Sequence, residues 1–187
     1  RSTWLGDSRT QLDIWTGRQE GAPCHAKLSL CLSLLERSLE KAVELGGEWL
    51  YDTRLTGPAA EAAFARVLSQ QKLNMEQQFI RQGNQYAAVR AAAHYSVEYA
   101  LSERCSGVTG YHFLCGLLEQ ADWAALGARL DALRTEVLQN AQLTVSLYGS
   151  EDALAKLRSL LPGSRFAAEG RREAVPYTEP LTPPVNE

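Results

Sequence analysis

Hydrophobic and polar positions alternate near the start of the chain and then give way to helical spacing. Leu12 to Gly17 places Leu12 and Ile14 on one side and predicts a short strand. His25 to Leu34 alternates over a longer run. Ala26, Leu28, Leu30, Leu32 and Leu34 share one face, and Lys27, Ser29, Cys31 and Ser33 share the other. That is the period of a strand with one covered face. Leu35, Leu39, Val43 and Leu50 then approach helical spacing, with Glu36, Glu40 and Glu44 on an opposite, solvated face. Gly46-Gly47 predicts an end or interruption of that helix.

The middle of the chain reads as helix. Thr56-Gly57-Pro58 is a start signal, because proline suits the first helical turn. Phe64, Val67, Leu68, Met75, Phe79 and Ile80 supply an apolar stripe. Gly83-Asn84 predicts a stop, since both residues tolerate the left-handed conformation of a helix C-terminus. A second helix from Tyr86 towards Ser96 carries Ala87, Ala88, Ala91, Ala92 and Ala93, small enough to admit a close neighbour. After a polar break at Ser106-Gly107 comes a short helix with Tyr111, Phe113 and Leu114. Trp123, Leu126, Leu130, Leu133 and Val137 then mark a long amphipathic helix.

The last part returns to alternation. Ala141 to Tyr148 sets Leu143, Val145 and Leu147 against Gln142, Thr144, Ser146 and Tyr148, predicting a third strand. Ser150 reads as the N-cap of a helix whose Glu151 and Asp152 suit the positive end of its dipole. Leu154, Leu157 and Leu161 are its inward face, and Pro162-Gly163 closes it. The order β-β-α, several helices, then β-α argues for an α+β domain over 1–163, with a mainly antiparallel sheet and helices on one face. Residues 164–187 hold four of the seven prolines and read as an extended linker towards a following domain. Three strands make a thin sheet, completed either by strands the pattern hides or by chain outside this sequence.

Composition narrows the partners. The 187 residues are 45% hydrophobic and 22% charged, ordinary for a globular protein long enough to bury a core. A net charge of -3 and a pI of 5.7 point to no nucleic-acid or polyanion partner. No apolar run approaches the roughly 20 residues of a membrane-spanning helix, and the N-terminal stretch does not read as a signal peptide. The first residue is Arg, which suits a piece of a longer protein. Cys24, Cys31, Cys105 and Cys115 form no C-x-x-C pair and read as reduced, half-buried thiols in a cytoplasmic protein, or an organellar one in a eukaryote.

One stretch is more specific than these bulk features. Gln82 to Leu118 combines an alanine-rich helix with a single arginine, a break, and a short aromatic helix. With Gln70-Gln71-Lys72, Gly83, Ala87, Arg90, Ala93, Ser96, Gly107, Tyr111, Phe113 and Leu114, followed by Leu143, Val145, Ser146, Gly149 and Glu151, it resembles the pitrilysin/insulinase-type zinc metallopeptidases. The resemblance is to the third, non-catalytic domain of the presequence protease and falcilysin branch. Asn84, Val97-Glu98-Tyr99 and Cys105 depart from the family pattern. The resemblance implies a metallopeptidase (LuxS/MPP-like) α+β fold, and a place in the wall of a chamber that encloses unstructured peptides. It also implies packing against other domains of the parent peptidase, one of which holds the zinc. Pro183 to Glu187 looks like the join to a fourth domain.

Chemistry of its own is missing from this sequence. The family's zinc site needs H-x-x-E-H, two histidines one helical turn apart with a glutamate base between them. His25, His94 and His112 lie in HAKLS, HYSVE and HFLCG, so that motif is absent and no cofactor is expected in this chain. His94 with Glu98 suits a surface contact on one helix face better than a metal site. His112 with Cys115 and Cys105 reads as an ordinary half-buried group. Cys24-His25 is a poor nucleophile and base, because adjacent strand residues face opposite ways. The candidate structural or chamber-facing residues are Arg90, Ser96 and Tyr111. Arg90 is expected to pair with a buried carboxylate or carbonyl. The alternative is a free-standing helix-rich interaction module, binding a partner through the Trp123 stripe or the Glu-rich helix.

Overall fold

A computed structural model of the chain describes residues 4–16, 24–140 and 143–167. Strands β1 (Leu5–Thr16) and β2 (Cys24–Leu34) form an antiparallel two-stranded sheet. A 3-10 turn at Glu36–Ser38 leads into α1 (Leu39–Tyr51). Then come α2 (Pro58–Ala92), α3 (Val97–Ser106), α4 (Val108–Gln120), α5 (Trp123–Asn140) and α6 (Glu151–Leu160). A mostly helical chain with an antiparallel sheet is the α+β class expected from the sequence. The strands fall where alternation predicts them, but β1 begins seven residues earlier, at Leu5 rather than Leu12. Its early residues Asp7, Arg9 and Thr10 are polar and exposed, so no apolar face announces them.

The chain divides into two compact units. One holds the base of the hairpin, α1, α6 and the segments flanking α6. Its buried apolar side chains are Leu5, Leu39, Ala42, Ala153 and Leu157. The sequence-predicted break at Gly46-Gly47 does not occur. Helix α1 runs through both glycines, and both are buried. A Cβ at Gly46 would lie 3.4 Å from the Phe166 ring and 3.7 Å from Leu32, and one at Gly47 3.5 Å from the Arg165 side chain. Here the absent side chains let the sheet and the segment after α6 approach, and helical hydrogen bonding outweighs glycine's entropic cost of about 1 kcal/mol. Arg165 also donates to Asp52 at 2.6 Å, and Phe166 lies 6.3 Å from the Tyr51 ring. Ser150 caps α6 as expected, its Oγ accepting from the Ala153 N–H at 3.1 Å. Leu154, expected to face inward, is only partly covered at 37% exposure, because Ala153 and Leu157, four apart, define the buried line.

The second unit contains Ile14 to Thr16 of β1, Cys24 to Ala26 of β2, α2 to α4 and most of α5. Gly57, at φ 92, caps α2 with Pro58 in its first turn, matching the start signal. The predicted stop at Gly83-Asn84 is a kink instead. Gln82 takes φ -132 and ψ 29, and the chain then resumes helix to Ala92 without a left-handed residue at Gly83. Met75 is the buried member of the predicted α2 stripe, whereas Val67 and Ile80 are exposed. Ile80 follows Met75 by five residues, roughly 140° around a helix, so the two cannot share a face.

Two further expectations are corrected. Val97 to Ser106 forms a helix of its own, α3, where the sequence reading placed only a turn; Glu98, Ser102, Glu103, Arg104 and Ser106 leave its short apolar face weak. Residues 143–148 form no strand, and Leu143 and Val145 are exposed. Alternation describes a strand only when a neighbouring edge is there to pair with it. Ala141 and Gln142, and the predicted linker from residue 168 to 187 with its join at Pro183 to Glu187, lie outside the described residues. Among the described residues no helix is long and apolar enough to cross a membrane.

Candidate functional site

Arg90 lies in the last turn of α2, where the alanines at 87, 88 and 91 to 93 thin the helix surface. Ala93, fully buried, ends it, and the chain turns through Ser96 into α3. Glu103 sits on the inner side of α3 at 1% exposure, and it is the largest fully buried side chain among the described residues. Its Oε1 accepts from Arg90 at 2.8 Å, from the Thr109 backbone N–H at 3.1 Å and from the Thr109 hydroxyl at 3.2 Å. A single carboxylate thus ties the end of α2 to α3 and also caps the first turn of α4, whose free N–H groups attract negative charge.

Glycine makes this junction possible. Gly107 is at once the last cap of α3 and the first of α4. A Cβ there would stand 1.9 Å from Glu103 Oε2 and 2.8 Å from Glu103 Cα. Its φ of -89 is open to any residue, so the requirement is space alone. At Gly110 a Cβ would meet the Arg104 carbonyl oxygen at 2.8 Å, which shows how closely α4 passes the end of α3. Glu103 Oε2 is buried without a hydrogen-bond partner.

Tyr111, one turn into α4, donates its hydroxyl to Glu76 on α2 at 2.7 Å. Its ring stands edge-on to Phe79 at 5.3 Å, and Phe79 does the same to Tyr86 at 4.6 Å. The hydrogen bond to Glu76 first, and then Cys115, pushes the Tyr111 phenol above its ordinary range. Ser96 is half-buried in extended backbone at the start of α3; its side chain makes no capping bond, and its carbonyl accepts from Ala100 at 2.9 Å. The three candidate residues from the sequence therefore surround one helical junction, with Arg90 and Tyr111 each joined to a carboxylate from another helix. Glu103 was missed. A glutamate in SERCS carries no sign of burial, and the only clue was the need of Arg90 for an acidic partner.

The other constellations do not assemble. His94 lies in the turn after α2 and Glu98 in α3, so they share no helix, and Glu98 accepts from Thr16 at 3.2 Å. Cys24 is buried, and that burial, followed by the nearby Glu98 carboxylate, pushes its thiol up, away from the thiolate a nucleophile needs. Cys105, expected to be half-buried, is exposed, although local desolvation by its neighbours still raises its thiol. Among the described residues no group of three His, Cys, Asp or Glu side chains is placed to hold a metal ion.

The sequence model of a family described as peptidase M16 (subfamily C) associated matches residues 5–117, from the first strand into α4, the larger part of the chain. The chain belongs to that peptidase-associated family. The matched span includes every member of the Arg90, Glu103 and Thr109 junction together with Tyr111 and Glu76. No curated protein matches the chain. As an associated domain of M16 peptidases it carries the helical junction but no H-x-x-E-H, consistent with a non-catalytic part.

Proposed function

We propose that this chain is the third, non-catalytic domain of a zinc metalloendopeptidase of the presequence protease and falcilysin branch. In that setting it forms part of the wall enclosing unstructured peptide substrates and packs against the parent's other domains. The observation that carries the reading is the family match over residues 5–117. Zinc and the general base come from an earlier domain of the parent, and this chain contributes shape. Arg90 fixes the helical junction, while Ser96 and Tyr111 stand near it as candidate chamber-facing positions. The compartment is that of the parent, cytoplasmic or organellar.

The test is the full-length parent. Its reading frame is expected to encode H-x-x-E-H upstream of this region, and the purified protein to cleave an unstructured peptide in a zinc-dependent way. Removal of the span matching 5–117 is expected to abolish that cleavage. A parent without the motif, or cleavage unaffected by the removal, sinks the proposal.

A further inference from the structure

Helix α2 bends at Gln82 with no proline near the bend and no left-handed residue at Gly83. Gln82 to Gln85 are exposed, and a Cβ at Gly83 would meet nothing within 4 Å, so no neighbour presses on the break there. Tyr86 spans it. Its hydroxyl donates to Gln78 Oε1 at 2.7 Å, and its ring stands edge-on to Phe79 at 4.6 Å. In an unbroken helix, residues seven and eight apart are separated by about 10.5 and about 12 Å along the axis. Helical side chains lean together towards the N-terminus, so the Phe79 and Tyr86 rings would keep most of that separation. Both contacts therefore depend on the bend. The two sides of the bend are also held differently. After it, Arg90 pairs with the buried Glu103 at 2.8 Å. Before it, the half-exposed Glu76 accepts from Tyr111 at 2.7 Å.

We propose that Gln82 is a hinge in α2 and Tyr86 its latch. With the Tyr86 contacts to Gln78 and Phe79 made, α2 is bent. With them released its last turns straighten, carrying Arg90 and α3 with them and drawing Tyr111 off Glu76. Straightening restores regular helical backbone at Gln82, which offsets the loss of a ring contact and of exposed hydrogen bonds, so the two arrangements lie close in free energy. A hinge of this kind is a few residues that absorb a backbone change while the segments on either side stay intact.

Double electron–electron resonance on the full 187-residue chain tests this, with nitroxides on genetically encoded ketone side chains at the exposed positions Gln70 and Ala88, which leaves the four cysteines untouched. An unbroken helix sets those two Cα atoms about 27 Å apart. Wild type is expected to show the distance of the bent helix, with at most about a tenth of the molecules at the unbroken-helix distance. Tyr86→Phe and Gln78→Leu each remove the hydrogen bond alone and are expected to raise the ratio of straight to bent molecules about fivefold. Tyr86→Ala also removes the ring and is expected to make the straight form the major one. Circular dichroism checks that each variant is folded; Tyr86→Phe and Gln78→Leu carry the test if Tyr86→Ala unfolds. A wild type at the unbroken-helix distance, or folded variants that keep the wild-type distribution, overturns the proposal.

Discussion

Glu103 gathers the energetics of the three-helix junction into one buried carboxylate, and removing its partners exposes that dependence. A buried charge is tolerated only where it is paired, and Oε1 takes the donors while Oε2 rests against Gly107. Arg90→Ala is expected to cost about 3 kcal/mol, because it strands that carboxylate without its cation. Lys72→Ala removes only a half-exposed 3.9 Å contact to Glu76 and is expected to cost less than about 0.5 kcal/mol. Urea unfolding of both variants checks the pair, and equal midpoints would count against a structural Arg90. Gly107→Ala must push into the same carboxylate and the α3 backbone, so a loss of at least about 2 kcal/mol is expected in the same assay. Cys24 adds a pH dependence. The folded state raises its pKa, so its stabilising contribution is complete below the unfolded thiol value of about 8.5 and is lost as pH rises through the higher folded value. Unfolding free energy should therefore decline on the alkaline side, and Cys24→Ala should make that decline shallower. Arg90 was visible in the sequence as one cation among alanines, but its partner was not, because burial of Glu103 arises only when α3 folds back on α2.

At the scale of elements, local chemistry and packing made different demands of the same residue types. The start of α2 at Gly57-Pro58 and the cap at Ser150 were legible because each depends on groups within a few residues. Ser150→Ala is expected to cost about 1 kcal/mol, measured by thermal or urea unfolding. Gly46-Gly47 has the composition of a helix stop yet lies inside α1, because what decides it is the ring of Phe166, far away in the chain. The two glycines should respond differently. Gly47→Ala meets only the flexible Arg165 side chain and is expected to stabilise by roughly 0.5–1 kcal/mol through helix propensity. Gly46→Leu has to displace Phe166 and Leu32 and is expected to cost about 2 kcal/mol. Either result reversed in unfolding measurements would show that α1 is not packed as described. The alternating segment 143–148 fails as a strand for a related reason: its pattern is present, and no described strand pairs with it.

For the whole molecule, membership of the M16 peptidase-associated family and the absence of H-x-x-E-H lead to one expectation for the isolated chain. Metal analysis after purification should find well under one zinc per chain, and incubation with an unstructured peptide should yield no cleavage. The sequence by itself determined the α+β class, the starts of α2 and α6, the alternation of the first two strands and the lack of a catalytic zinc motif. All of these are carried by residues close in the chain or by composition. Only the tertiary structure decided that Glu103 is the buried partner of Arg90, that Gly46-Gly47 is a packing surface and Gly83-Asn84 part of a continuing helix, and that the third alternating segment stands unpaired. Each of those depends on what arrives from elsewhere in the chain, and burial, unlike periodicity, belongs to the neighbours a residue meets after folding.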